Sequence, residues 1–260
     1  MEPVYTPVRY FARGLFAAQG LCFKRTGQEN IPATGGGVVA MNHFGYLDFA
    51  LGGYAYEDAG RLVRFMAKKE VFDLAGVGTI MRGMKHIPVD RAAGAGAYRV
   101  AVEALKAGEL IGVFPEATIS RSFELKEFKT GAARMAQEAG VPILPTVVWG
   151  SHRIWTKDHP KRLGRSKIPV TVTVGAPIMV GPQDDPSEVM AELKSVMKRM
   201  LDQAKDEYEP LVGDEAVYLP AALGGKAPTL EEAAALEVQE RARRAERKAA
   251  KAAAKQAKKS

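Results

Sequence analysis

A histidine and an aspartate lie five positions apart in VAMNHFGYLDFA, residues 39–50, where a strand-like apolar run ends. A neutral imidazole accepts a proton near pH 7, and a carboxylate on its other nitrogen fixes the tautomer and stabilises the imidazolium. His43 and Asp48 can therefore meet as a general-base pair if the turn between them leads into a helix. In the simpler alternative, Asp48 caps that helix and His43 packs in the turn.

Two later stretches also place charged or hydroxyl side chains directly after apolar runs. KHIPVDR ends in Arg91, which suits a phosphate or a carboxylate, and VFPEATISRS offers Glu116 and Thr118 for hydroxyl groups. In a parallel sheet the carboxyl ends of the strands share one edge, so both loops would converge on the turn that holds His43. Plainer roles stay open, namely a surface ion pair for Arg91 and a helix cap for Glu116.

Short apolar runs alternate with helical stretches between about residues 36 and 180. This pattern predicts a single α/β domain with a largely parallel central sheet flanked by helices. The predicted strands are 37–41, 62–66, 85–89, 110–114, 143–148 and 170–174. The predicted helices are 49–57, 98–107 and 130–138, followed by a longer one at 184–208.

Several classes of site are not expected from this composition. The four histidines lack metal-ligand spacing, and Cys22 is the single cysteine, so neither a cysteine cluster nor an internal disulfide is possible. A Walker A lysine loop is also absent from the sequence. No apolar run approaches the roughly 20 residues that cross a bilayer. We therefore expect no metal, no bound cofactor and no transmembrane span, and any contact with a membrane would be at its surface.

The positive charge is concentrated towards the carboxyl terminus. Of a net charge of +7, residues 226–260 contribute ten Lys and Arg against five Glu. The Ala/Lys/Glu-rich tail, assigned to residues 229–260, is predicted to be helical or disordered and follows a Gly/Pro-containing linker at 211–228. It is either a solvated face or a surface that adsorbs onto anionic lipid. Nucleic acid is not an expected partner, because the domain lacks an aromatic-basic stripe.

Aromatic and basic side chains are mixed in the first segment, residues 1–29. Phe11 and Phe16 stand near Arg9 and Arg13, a composition that suits an amphipathic helix at a membrane interface. The alternative is a helix that packs on the core of its own domain. Composition alone does not separate the two.

Four ordered blocks resemble those of the glycerolipid acyltransferase superfamily, specifically the bacterial 1-acylglycerol-3-phosphate acyltransferases. The first block, N-H-x4-D, and the third, which resembles F-P-E-G-T-R-S, are specific, whereas the other two would be weak alone. The resemblance covers about residues 30–180, and we assign the acyltransferase domain to residues 30–210. The blocks are NHFGYLD at 42–48, IPVDR at 87–91, FPEATIS at 114–120 and VPILPT at 141–146.

Two positions of the third block depart from the family pattern. Ala117 replaces the usual glycine, and Ile119 replaces the usual arginine. A phosphate contact that the arginine would supply must then come from another cation. Arg121, Lys126 and Lys129 are available for it.

The resemblance implies acyl transfer from acyl-CoA or acyl carrier protein to the free hydroxyl of 1-acylglycerol 3-phosphate (lysophosphatidate), giving phosphatidic acid. His43 would take the hydroxyl proton, and Asp48 would orient His43. Backbone N–H groups near the same turn, or a nearby side chain, would stabilise the oxyanion. The residues assigned to the acceptor are Asn42, Arg91, Glu116, Thr118, Ser120, Arg121 and Lys129.

Several alternatives stay open at this point. The same chemistry could act on glycerol 3-phosphate or another lysophospholipid. A second hypothesis is a basic protein that binds lipid surfaces without catalysis, and a third is an inactive family member, suggested by Ala117 and Ile119. As an acyltransferase, the protein would lie on the cytoplasmic face of the cell membrane, with residues 8–23 at the interface and anionic headgroups attracting its basic tail.

Overall fold

The computed structural model describes residues 2–90 and 94–257, and it confirms the predicted α/β class. A seven-stranded sheet has the order β1-β7-β6-β2-β5-β3-β4. Every adjacent pair is parallel except β6 and β7. The strands are β1 Cys22–Thr26, β2 Gly37–Met41, β3 Val63–Lys68, β4 Ile87–Val89, β5 Leu110–Val113, β6 Ile143–Trp149 and β7 Pro169–Val174.

Helices flank the sheet, and its central strands are covered on both faces. Every residue of β2, β5 and β6 is buried, as expected for near-continuous apolar runs in a parallel sheet. The helices are α1 Tyr5–Ala18, α2 Asp48–Asp58, α3 Lys69–Phe72, α4 Val77–Gly83, α5 Gly94–Lys106, α6 Gly131–Ala139, α7 Pro186–Asp206 and α8 Leu230–Ala257.

The parallel strands bring the candidate loops to one edge of the sheet. Strands β2, β3, β4, β5 and β6 all run in the same direction, so their carboxyl ends lie on the same side. The His43 turn follows β2, and the block that contains Glu116 follows β5. The predicted convergence of these two loops is therefore confirmed. Arg91 follows β4 in the sequence but lies outside the described residues.

Three elements were not predicted from the sequence. Strand β1 is half polar and sits at an edge of the sheet, where alternate side chains are exposed. Helices α3 and α4 are only four and seven residues long and are separated by Gly76, which has a φ of +73°. Short elements with such composition give a weak periodic signal.

Helix α1 packs on the core through one face and exposes aromatic residues on the other. Tyr5 and Phe16 are buried, whereas Phe11 is 74% exposed. Both interpretations of the first segment are therefore compatible with the structure. Arg13 pairs with Asp58 at 2.6 Å, at the far end of α2. An eleven-residue helix places that end about 15 Å from Asp48.

Residues 120–126 and 210–260 form a second compact unit, separate from the sheet-containing unit. The described tail within it is helical as α8. A reciprocal capping pair fixes the start of this helix: the N–H of Thr229 donates to the Glu232 carboxylate at 2.8 Å, and the N–H of Glu232 donates to Thr229 Oγ1 at 3.2 Å.

No helix within residues 2–90 and 94–257 combines the length and the apolar composition needed to cross a bilayer. This finding applies to the described part of the chain.

His86 is buried and is expected to make stability depend on pH. Its Nδ1 accepts the N–H of Phe65 at 2.9 Å, so the ring is neutral. Burial, together with the Arg64 guanidinium, lowers the pKa of His86 to about 4. The unfolded chain, with a histidine pKa near 6.5, binds more protons than the folded chain between these pH values. The free energy of unfolding should therefore fall as pH is lowered from 6.5 towards 4.

Substituting His86→Asn tests this expectation, because the amide oxygen can still accept the N–H of Phe65 but does not titrate. Denaturant titrations between pH 6.5 and 4.5 give the free energy of unfolding at each pH. Its slope against pH should be smaller in the variant than in the wild type by about 1.4 kcal/mol per pH unit. Equal slopes in the two proteins would contradict the assignment of this pH dependence to His86.

Candidate active site

One carboxylate oxygen of Asp48 organises the turn after β2. Asp48 Oδ2 lies 3.1 Å from His43 Nδ1, and it also accepts the backbone N–H groups of Phe44 at 2.7 Å and Gly45 at 2.8 Å. Asp48 is fully buried as the first residue of α2. Its side chain thus bonds to residues before the helix, and the expected alternative of a simple helix cap is wrong.

This arrangement fixes how the His43 imidazole is presented. Because the Asp48 carboxylate only accepts hydrogen bonds, Nδ1 carries the proton and Nε2 keeps its lone pair. The histidine side chain is 20% exposed, so the ring reaches solvent. Its face stacks on Phe114, with ring centroids 4.0 Å apart and an interplanar angle of 18°. The imidazole is therefore held from its edge by Asp48 and from its face by Phe114.

Glu116 binds the backbone of the same turn. Its Oε1 accepts the N–H of His43 at 2.9 Å, and the residue is only 5% exposed. The sequence suggested that Glu116 contacts acceptor hydroxyls or caps a helix. Instead, the hydrogen bond to this oxygen links the loop after β5 to the turn after β2.

All four backbone N–H groups of residues 43–46 are paired. The first three bind the two carboxylates described above, and the N–H of Tyr46 donates to the carbonyl of Trp155 at 2.9 Å. Within residues 43–46 no backbone N–H group is left for an oxyanion. The oxyanion contact, predicted to come from backbone N–H groups near this turn or from a nearby side chain, is therefore expected from outside residues 43–46.

Two buried polar side chains connect the turn to other segments of the chain by hydrogen bonds. The Asn42 amide bonds in both directions with β6: Nδ2 donates to the Val148 carbonyl at 3.0 Å, and Oδ1 accepts the Val148 N–H at 2.7 Å. Thr156 Oγ1 donates to the Phe44 carbonyl at 2.6 Å. Asn42 was expected to bind substrate, but its amide is occupied by the strand backbone. Thr156 was not predicted, because nothing in the sequence links it to a turn 112 residues away.

The other predicted acceptor residues occupy different environments. Thr118 is half-buried, and Lys129 is exposed at the surface. Ser120 is fully buried, and its hydroxyl donates to the carbonyl of Glu124 at 2.8 Å within its own loop. Arg91 lies outside the described residues. The geometry therefore joins His43, Asp48 and Glu116 directly.

Two of the three cations expected to replace the missing arginine are paired with carboxylates of the tail helix. Arg121 lies 2.9 Å from Glu240, and Lys126 lies 3.2 Å from Glu237, all within the second compact unit. Ile119, at the position of the family arginine, is buried. Neither Arg121 nor Lys126 can bind an acceptor phosphate without competing with these glutamates.

Ala117 occupies a backbone conformation that favours glycine. Its φ is +63°, in the left-handed region where a Cβ atom is strained. We expect Ala117→Gly, which restores the family residue, to raise the free energy of unfolding by about 0.5–1 kcal/mol. Chemical denaturation would measure the change. In the matched control Ala104→Gly, within α5, the same substitution should cost about 1 kcal/mol. A loss of stability in both variants would contradict strain at Ala117.

Across residues 2–90 and 94–257, no three side chains of His, Cys, Asp or Glu come together as ligands for a metal ion. The chemistry assigned below relies on the His43–Asp48 pair.

Comparison with known proteins shows one family that this chain resembles. The Acyltransferase family model matches residues 22–149. The 1-acyl-sn-glycerol-3-phosphate acyltransferase of Bacillus subtilis is 33% identical over 127 residues, which cover 47% of this chain and 60% of that protein. A protein of the same name from Borreliella burgdorferi is 29% identical over 136 residues, covering 51% of this chain and 53% of that protein.

A solved structure shows the same architecture over a larger share of the chain. The crystal structure of PlsC, the 1-acyl-sn-glycerophosphate acyltransferase of Thermotoga maritima, gives a TM-score of 0.66 at 26% identity. The match covers 79% of this chain and 81% of that one. Fold and site together define an α/β domain with a His–Asp pair at the carboxyl edge of a largely parallel sheet. Residues 22–149, just under half of the chain, match the Acyltransferase family, and the chain spans between half and two thirds of the two curated relatives described above.

Proposed function

We propose that this protein is an O-acyltransferase that moves a fatty acyl group from an acyl thioester to the free hydroxyl of 1-acylglycerol 3-phosphate. The product is phosphatidic acid, a precursor in phospholipid biosynthesis. The observation that carries this proposal is the His43–Asp48 pair, whose imidazole is oriented through Nδ1 and partly exposed. The activities named for the bacterial relatives support lysophosphatidate as the acceptor.

His43 acts as the general base in this proposal. Its Nε2 takes the proton from the acceptor hydroxyl while that oxygen forms a bond to the thioester carbonyl carbon. The carbonyl oxygen becomes an oxyanion and then reforms the carbonyl as the carbon–sulfur bond breaks. The imidazolium returns its proton to the departing thiolate, and Asp48 stabilises the imidazolium between these steps. The oxyanion contact comes from outside residues 43–46, whose N–H groups are already paired.

The acceptor phosphate is assigned to Arg91, the last residue of the second block, and to a cation that follows the third block in the sequence. Arg91 retains the role implied by the family resemblance, and the exposed Lys129 is the second candidate. Arg121 and Lys126 are less suitable, because both are paired with tail carboxylates. Thr118 is the half-buried hydroxyl nearest in sequence to Glu116 and is assigned to the rim of the acceptor site.

The proposed donor is acyl-CoA or acyl carrier protein, and the proposed reaction uses no metal and no resident cofactor. The acceptor and the product belong to a bilayer, so we assign the protein to the cytoplasmic face of the cell membrane. Helix α1 supports this assignment, because Tyr10 and Phe11 are exposed beside Arg9. The basic tail adds attraction to anionic headgroups, worth about 1 kcal/mol per cation close to the surface.

An acceptor panel tests the proposed function. Purified protein is incubated with acyl-CoA and, separately, lysophosphatidate, glycerol 3-phosphate and lysophosphatidylglycerol, and the acylated position of each product is determined. The proposal predicts the highest kcat/KM with lysophosphatidate. Turnover of another acceptor in the absence of turnover with lysophosphatidate would refute the acceptor assignment but not the chemistry.

A further inference from the structure

The connection between β6 and β7, residues 150–168, packs against the turn that holds His43. Strand β6 runs parallel to β2, so the connection leaves the same edge of the sheet as that turn. The Trp155 carbonyl accepts the N–H of Tyr46 at 2.9 Å. A Cβ atom at Gly45 would lie 3.1 Å from the same carbonyl oxygen, so the two segments are in close contact. A ligand bound near Trp155 therefore lies next to the candidate catalytic pair.

Two aromatic rings and a lysine form a surface at this point. The ring centroids of Tyr46 and Trp155 are 4.9 Å apart, and Lys161 Nζ lies 4.3 Å from the centroid of the Trp155 ring. Tyr46 is 39% exposed, Trp155 is half-buried and Lys161 is exposed. The N–H of Arg162 donates to the carbonyl of Ile154 at 2.8 Å, which brings Lys161 back beside Trp155. We refer to Tyr46, Trp155 and Lys161 as the aromatic-lysine platform.

The Lys161 ammonium group can bind an anion while it stays over the ring. Its attraction to the face of Trp155 is electrostatic, and the group has three N–H donors. Within residues 2–90 and 94–257, Lys161 forms no ion pair with a carboxylate. The aromatic contact thus fixes the position of a positive charge that the folded chain does not neutralise.

The charges that follow Lys161 in the sequence also favour an anion. Residues 161–167 contain four Lys and Arg and no acidic residue, and Asp158 is the acidic residue next to them in the sequence. Arg165 and Lys167 are exposed, and neither is paired with a carboxylate in the described part of the chain. The local potential is therefore positive beside the platform.

The donor of the proposed reaction carries a phosphate at the end opposite its acyl group. In acyl-CoA and in acyl carrier protein alike, the acyl group is joined to the thiol of a pantetheine arm, and a phosphate stands at the other end of that arm. His43 and Tyr46 are three residues apart, so their Cα atoms are separated by at most about 11 Å. An extended pantetheine arm can span this distance, with its phosphate at the platform and its thioester at His43.

We infer that the aromatic-lysine platform binds the phosphate of the donor's phosphopantetheine arm. Lys161 is the ligand of the phosphate, and Trp155 positions Lys161. The choice of ligand rests on the proposed function, which requires a thioester donor. The acceptor phosphate has a separate assignment, to Arg91 and Lys129, so the two substrates use different cations.

Ligand titrations of the full-length protein test the inference. Tryptophan fluorescence is the readout, because Trp155 is half-buried whereas Trp149, the second tryptophan, is only 1% exposed. CoA and holo acyl carrier protein are titrated separately. Lys161→Ala should raise the Kd of at least one of them by about tenfold or more. The control Arg99→Ala removes an exposed cation from α5 and should stay within about twofold of the wild type.

The two titrations also identify the source of the phosphate. A tenfold loss with CoA assigns the platform to a nucleotide-linked donor, and a tenfold loss with holo acyl carrier protein alone assigns it to a carrier-bound donor. An unchanged Kd for both ligands in Lys161→Ala, or no binding of either ligand to the wild type, would overturn the inference.

A pair of smaller ligands tests the phosphate itself, because 4′-phosphopantetheine and pantetheine differ only in that group. The wild type should bind 4′-phosphopantetheine at least about tenfold more tightly, and in Lys161→Ala this preference should fall below about threefold. Lys161→Arg should keep the preference, since a guanidinium group also stacks on an aromatic face and binds phosphate. Equal affinities of the wild type for the two ligands would overturn the inference. These titrations need no acceptor and no turnover, so failure of the proposed acyl transfer is observed separately.

Discussion

Replacing His43 with alanine is expected to lower kcat/KM for acylation of lysophosphatidate by about 10²–10⁴, the usual contribution of general-base catalysis. The variant loses the group that accepts the hydroxyl proton. The backbone bonds of the turn persist, because the Phe44 and Gly45 N–H groups still meet Asp48 and the N–H of residue 43 still meets Glu116. The free energy of unfolding should therefore change by no more than about 1 kcal/mol.

Steady-state kinetics and urea denaturation of the same preparations measure the two quantities. His159→Ala, which removes a histidine outside the site, serves as the control and should retain wild-type turnover. Wild-type turnover in His43→Ala would place the base elsewhere. Equally low turnover in the wild type and in His43→Ala, across several acceptors, would support the hypothesis of an inactive family member.

Replacing Asp48 with alanine is expected to damage both activity and stability. The substitution removes the acceptor for three donors: the His43 imidazole and the buried N–H groups of Phe44 and Gly45. Each unpaired buried N–H group costs about 1–3 kcal/mol, so the variant should lose roughly 2–5 kcal/mol of unfolding free energy. Its turnover should fall at least as far as that of His43→Ala, because the histidine is no longer oriented and the turn is no longer closed.

The isosteric variant Asp48→Asn separates these two roles. Its amide oxygen can accept the two backbone N–H groups, so most of the stability should return. The neutral amide does not stabilise the imidazolium, so turnover should stay low. Denaturation curves and kcat/KM for the alanine and asparagine variants provide the comparison. If Asp48→Asn recovers turnover together with stability, the carboxylate acts only by closing the turn.

The sequence predicts the sheet well because its signal is local. The runs that form β2, β5 and β6 are short, apolar and completely buried. Each can therefore be recognised as a strand from its own residues. The meeting of His43 with Asp48 is predictable for the same reason, since five residues separate them. The resemblance to acyltransferases rests on these local blocks as well, and the match of residues 22–149 to the Acyltransferase family model supports it.

The sequence does not predict contacts between residues that are far apart. Asn42 was assigned to substrate because its partner, the backbone of Val148, lies 106 residues away. Arg121 was assigned to a phosphate because the sequence does not show that Glu240 reaches it. In each case the side chain could bind the predicted ligand. The folded chain provides a different partner that makes the same kind of hydrogen bond or ion pair.

The central claim is that His43 and Asp48 act as one unit on the acceptor hydroxyl, and a double-variant comparison tests it most directly. The kcat/KM for acyl transfer to lysophosphatidate is measured for His43→Ala, Asp48→Asn and the combined variant. Residues that act as a unit have non-additive effects. We predict that adding Asp48→Asn to His43→Ala lowers kcat/KM by less than about threefold. A further loss as large as that of Asp48→Asn alone would show that the two residues contribute independently and would contradict the His–Asp pair.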